Sequence, residues 1–180
     1  PVDTFENKQC LFLDTLYDKT AEKIKFEDTD YFDSINSVVK YKNLLSDINY
    51  QTLLDGLKLI MTHYSCCEVK WGVVHRDFTP WNMCMCGNDL FVFDFEYALK
   101  HGPKSNDYWH YLLQKKFYEE KKSAMIIADE IGSTDSTLNQ VLYLVDIACL
   151  YLERGNRLDV EIAVQRIELL RYILEKNEKI

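Results

Sequence analysis

Two short segments hold residues whose types and spacing suit chemistry. The first is His75-Arg76-Asp77-Phe78-Thr79-Pro80-Trp81-Asn82, and the second, twelve residues beyond Asn82, is Asp94-Phe95-Glu96-Tyr97. Between them Gly87-Asn88 reads as a two-residue hairpin turn, which pairs Cys86 with Asp89. Counting back along both strands sets Asn82 opposite Phe93 and next to Asp94, so an amide and a carboxylate emerge at one end of the hairpin. Two oxygen donors of this kind suit a hard cation such as Mg²⁺, which keeps several waters and shares its coordination with phosphates. Asp77 follows the apolar strand Gly72-Val73-Val74, where a buried strand delivers a side chain to a loop, and is the candidate base. Phosphoryl transfer asks for an oriented hydroxyl, an acceptor for its proton and neutralised phosphate charge. Asp77, Asn82 and Asp94 match those needs. Taken singly, an Asp in a turn is usually a cap and an Asn at a strand start usually satisfies backbone. The joint spacing is far more specific.

Helices must carry this hairpin. Apolar residues recur at helical spacing in Leu53, Leu54, Leu57, Met61 and Tyr64, in Leu138, Val141, Leu142, Val145, Cys149 and Leu152, and in Val160, Ala163, Val164, Ile167, Leu170 and Leu174. Weaker periodicity predicts helix over about 4–24, 31–45 and 105–131. The β-favouring runs are Gly72–Val74, Met83–Cys86 and Leu90–Phe93. The expected fold class is mainly α (α+β), one helical domain enclosing a small hairpin.

The two chemical segments resemble the catalytic and metal motifs of the aminoglycoside phosphotransferase and choline kinase-like superfamily, which shares the protein kinase-like fold. The resemblance is concentrated in about residues 70–110. It implies that Asp77 is the catalytic base, that Asn82 and Asp94 bind Mg²⁺, that His75 keeps the loop in shape, and that Asp107 braces the loop from the following helix. Trp81 and Glu96 are candidates for lining the site. Protein kinases also use His-Arg-Asp, but here Glu96 stands in place of the glycine of Asp-Phe-Gly, and only twelve residues separate Asp94 from Asp107. That is too few for an activation segment, so ATP and a small hydroxylated acceptor of the aminoglycoside, sugar or amino-alcohol class are the expected substrates.

An ATP-dependent enzyme of this type also needs a lobe with a phosphate-covering loop and a strand-borne lysine. The six glycines lie singly at 56, 72, 87, 102, 132 and 155. Residues 1–180 are therefore expected to form a single helical C-terminal catalytic lobe, with its catalytic loop and metal hairpin at about 70–97. The nucleotide-clamping N-terminal lobe would be supplied in cis or by another chain. Pro1, with no initiator methionine before it, favours a piece of a longer kinase that alone turns over ATP barely if at all. The rival expectation is a pseudokinase-like module that binds a nucleotide or metabolite without turnover.

Composition agrees with a folded domain: 47% of residues are hydrophobic and 28% charged, close to globular averages. A net charge of −8 repels a nucleic-acid backbone and excludes nucleic acid as an expected partner. No apolar run approaches the roughly 20 residues of a membrane helix and no signal pattern opens the chain, so the expected location is the cytoplasm. The six cysteines, at 10, 66, 67, 84, 86 and 149, are expected to be reduced thiols, with the strand pair Cys84 and Cys86 acting as buried hydrophobes. His63, His101 and His110 lie apart, without metal-ligand spacing and away from any nucleophile motif. Trp109 and most tyrosines and phenylalanines are assigned to packing.

Overall fold

The computed structural model describes residues 7–131 and 137–177. The chain is mainly helical, with two small antiparallel sheets. Helix α1 (Asn7–Thr20) leads into strand β1 (Glu22–Lys25), and α2 (Asp30–Asn36) continues as a 3-10 segment, Ser37–Leu44. Then come α3 (Asp47–Tyr64), β2 (Glu68–Val74), the hairpin β3 (Met83–Cys86) and β4 (Asp89–Val92), and β5 (Leu99–Gly102). Helices α4 (Asn106–Gln114), α5 (Ala124–Ile131), α6 (Thr137–Arg154) and α7 (Arg157–Asn177) complete the order.

Helix α6 is the centre. Every residue from Gln140 to Leu152 is buried, as expected of a helix apolar on all sides, and α2, α3, α4 and α7 pack around it. Its interior also contains Asp146, a charge that requires a partner. Three helices open on hydroxyl caps: Thr29 accepts the Phe32 N–H at 3.0 Å, Ser46 the Asn49 N–H at 3.3 Å and Ser123 the Ile126 N–H at 3.4 Å.

The weaker helical predictions need correction. The helix expected over about 4–24 ends at Thr20, and positions 4–6 of that expectation lie outside the described residues. The Thr20 hydroxyl donates to the Leu16 carbonyl at 2.7 Å and accepts the Val73 N–H at 2.9 Å, which docks the helix end on β2. Gly72 permits this, because a Cβ there would come within 2.8 Å of Thr20 Oγ1 and 2.9 Å of the Tyr17 carbonyl oxygen. Beyond Thr20 the chain becomes β1, paired with β2. The segment over 31–45 tightens into the 3-10 turn after Asn36, and the one over 105–131 divides into α4, a π-helical segment Lys115–Glu119, and α5.

Strand β2 is longer than Gly72–Val74 and is the middle of a three-stranded sheet ordered β1-β2-β5. The hairpin register matches the count from its turn: Cys86 faces Asp89, Met83 faces Val92, and the Phe93 N–H donates to the Asn82 carbonyl at 3.1 Å. Gly87 takes φ +59, the left-handed conformation that the first position of such a turn demands. Met83 on the inner face joins Phe78 and Tyr111 in a small cluster, while Cys84, Cys86, Phe91 and Phe93 remain exposed. The expectation that Cys84 and Cys86 are buried fails because their strand face has no layer over it.

Among the described residues no helix is long and apolar enough to cross a membrane.

Candidate active site

Strand β2 ends at Val74, and the next three residues turn sharply. Arg76 takes φ +65, a left-handed conformation that is costly for a residue with a Cβ and persists only where its surroundings enforce it. Two carboxylates do so. Asp107, in the first turn of α4, accepts the His75 N–H on Oδ2 and the Arg76 N–H on Oδ1, each at 2.8 Å. Burial raises the Asp107 carboxyl, against the two N–H donors, which favour its ionised form. Asp146, from α6, takes the Arg76 side chain, with Nη2 to Oδ1 at 2.8 Å and Nε to Oδ2 at 3.1 Å. Ser34 and Asn106 also donate to Asp146, at 3.0 and 3.1 Å. This ion pair is fully interior.

The His75 ring fastens the loop to the hairpin. Its Nδ1 lies 3.2 Å from the Asp77 N–H and its Nε2 2.9 Å from the Phe93 carbonyl. A backbone N–H can only donate and a carbonyl can only accept, so Nδ1 is the bare nitrogen and Nε2 carries the proton. The role of the ring in this geometry is to hold shape.

Asp77 is 30% exposed, the most open group of the loop. Its Oδ2 accepts the Asn82 amide N–H at 2.8 Å, and the same amide nitrogen donates to the Asp77 carbonyl at 2.9 Å. Its Oδ1 lies 3.3 Å from His110 Nε2. Burial raises the Asp77 carboxyl, but the His110 ring, the Asn82 amide and the His75 ring together outweigh it and leave it below the ordinary aspartate value.

Asn82 is buried at the mouth of the hairpin, while Asp94 is exposed and left-handed at φ +66. The backbone bond between Asn82 and Phe93 brings these two positions to one end of the hairpin. With its amide nitrogen committed to Asp77, Asn82 has Oδ1 as its remaining polar side-chain atom. One amide oxygen and one carboxylate fit a hard cation such as Mg²⁺ that completes its shell with water and phosphate. Among the described residues no group of three or more His, Cys, Asp or Glu forms an all-protein cage. Trp81 is 56% exposed beside the loop, and Glu96 is exposed next to Tyr97, whose phenol it raises.

No family model, curated protein or solved structure matches this chain. The chemistry must be read from these side chains alone.

His110, set aside in the sequence as remote from the site, is at it. The signal was its position three residues after Asp107, one helical turn along the face that meets the loop. Asp146 was also unread, although a carboxylate in the apolar run Val145-Asp146-Ile147 calls for a buried cation. Concavity alone would lead elsewhere. A groove of about 850 Å³ between α3 and α7, lined by residues such as Asp55, Lys58 and Arg171, contains none of the loop residues.

Proposed function

We propose that this chain is the C-terminal catalytic lobe of an ATP-dependent phosphotransferase with a protein kinase-like fold, acting on a hydroxyl of a small molecule. The observation that carries the reading is the Asp77 carboxylate, half-open, held on one oxygen by Asn82 at 2.8 Å and set against the hairpin end that bears Asp94. Asp77 orients the acceptor hydroxyl and takes its proton as the oxygen bonds to the γ-phosphorus of ATP and the bond from that phosphorus to the departing ADP oxygen breaks. Its low proton affinity keeps it ionised at neutral pH, so it is always ready to accept. Asn82 and Asp94 would hold Mg²⁺, which supplies charge neutralisation to the nucleotide phosphates when bound. His75 and Asp107 fix the loop.

Covering and clamping the nucleotide falls to an N-terminal lobe, in cis or on another chain. Trp81 and Glu96, both exposed, would line the site on the acceptor side. The setting of the enzyme is the cytoplasm, where ATP and reduced thiols coexist.

The test is Asp77→Asn in the complete protein, assayed with Mg-ATP and a panel of aminoglycosides, sugars and amino-alcohols. Phosphoryl transfer should fall by at least about 100-fold, the usual worth of a general base, with Mg-ATP binding retained. An unchanged kcat removes Asp77 from the mechanism.

A further inference from the structure

Three buried side chains continue the site inward from Asp77, and the proposed reaction leaves them without a task. His110 on α4 is 1% exposed, Tyr143 on α6 is 2% exposed and Arg166 on α7 is 0% exposed. His110 presents Nε2 to Asp77 Oδ1 at 3.3 Å and Nδ1 to the Tyr143 hydroxyl at 3.2 Å. A neutral imidazole has one proton to share between these contacts.

The partners decide where it lies. Asp77, ionised, can only accept. Burial holds the Tyr143 hydroxyl protonated, and the Arg166 guanidinium acts on that hydroxyl as a positive charge. None of the Arg166 nitrogens meets an acceptor at hydrogen-bond geometry among the described residues. A buried phenol O–H needs an acceptor, and the one that Tyr143 meets is His110 Nδ1 at 3.2 Å. With Nδ1 accepting, the ring proton is on Nε2 and faces Asp77. The Gln114 amide nitrogen, 3.2 Å from Nε2, is also 3.2 Å from the Tyr151 hydroxyl and can donate there, so it does not oblige the imidazole to accept.

We infer that His110 is the positioning residue of Asp77: Tyr143 holds it in the Nε2–H tautomer, so that one neutral N–H is fixed on Oδ1 while Asn82 holds Oδ2. The carboxylate is thereby locked in rotation, with its outer lone pairs left to an acceptor hydroxyl. Placement of this kind matters because a displacement of 1 Å can cost about 100-fold in rate. The inference rests on the reading of Asp77 as the base.

The tautomer is measured directly on this chain labelled with ¹⁵N-histidine, by long-range ¹H–¹⁵N correlation at neutral pH. The expected spectrum shows His110 with bare Nδ1 and protonated Nε2, a pattern that Asp77→Asn leaves in place and Tyr143→Phe turns into a mixture of tautomers. A protonated Nδ1 in the parent, or no change in Tyr143→Phe, overturns the inference. In the complete protein His110→Leu should lower kcat by about 10-fold to 100-fold at constant KM for ATP. His110→Gln, which keeps a neutral N–H toward Oδ1, should restore most of it. If the leucine variant fails to fold, the glutamine variant and Tyr143→Phe still decide the matter, since both spare the packing. Full activity in Tyr143→Phe, or a deep loss of kcat in His110→Gln, refutes positioning. Loss of the base reading would appear separately, as an active Asp77→Asn enzyme with the His110 tautomer intact.

Discussion

Removing the Arg76 side chain as Arg76→Met isolates what the interior ion pair contributes. In the parent, Asp146 receives two guanidinium bonds at 2.8 and 3.1 Å plus one each from Ser34 and Asn106, with the two charged groups 7% and 1% exposed. At an effective dielectric constant of about 20, opposite charges about 4 Å apart attract by about 4 kcal/mol, and desolvation of both ions offsets much of that. The variant keeps the cost of burying Asp146 and loses the attraction. Breaking a buried pair from one side costs about 3–5 kcal/mol. The neutral pair Arg76→Met/Asp146→Leu should regain most of this, because no charge remains to be desolvated. The assay is urea unfolding followed by far-UV circular dichroism, with the midpoint converted through an unchanged slope.

A pH dependence follows with a definite sign. Burial already raises the Asp146 carboxyl in the parent, and loss of the Arg76 charge raises it further. An acid whose folded-state proton affinity exceeds its unfolded one binds more protons when folded, so its contribution to stability grows as pH falls toward the ordinary aspartate value. The deficit of Arg76→Met should therefore shrink between pH 7 and pH 5. A deficit below about 1 kcal/mol at pH 7, or one that widens on acidification, refutes this account of the loop.

Asp94→Ala in the complete protein should weaken Mg²⁺-dependent nucleotide binding, read by calorimetric titration; identical Mg²⁺ titrations for variant and parent would remove Asp94 from the ligand set. Gly72→Ala should cost about 1–3 kcal/mol, since its Cβ would press on the Tyr17 carbonyl oxygen 2.9 Å away, and should raise hydrogen exchange in α1 before other helices. Native protein treated with a thiol reagent at neutral pH should lose Cys10, Cys66, Cys67, Cys84 and Cys86 and keep Cys149, which burial keeps as the protonated thiol. Rapid modification of all six without denaturant would contradict that packing.

The parts of the molecule legible in the sequence are those governed by local rules. A two-residue turn fixes register, so pairing Cys86 with Asp89 also fixes Asn82 against Phe93. Long runs of apolar residues at helical spacing marked out α3, α6 and α7. Strand β5 was invisible because Leu99-Lys100-His101-Gly102 has no apolar alternation, and it exists only by pairing with β2 and by its bonds to Asp30, which accepts the Lys100 and His101 N–H groups at 2.6 and 2.9 Å. The break after Thr20 depends on a bond to Val73 that no short window contains. The loop motif was readable as a string of residue types. Its supports on α4 and α6 became visible only once helices distant in sequence were brought beside it.

Tyr143 and Asp146 lie three positions apart on α6, one reaching the imidazole beside Asp77 and the other the guanidinium of Arg76. Successive helical residues are rotated by about 100°, so one inserted residue ahead of this pair would swing both away together. Helix α6 can thus accept many exchanges of one apolar side chain for another, yet tolerates almost no change in length. In a lineage of such proteins, substitutions would accumulate along α6, while insertions and deletions would be confined to the connections on either side.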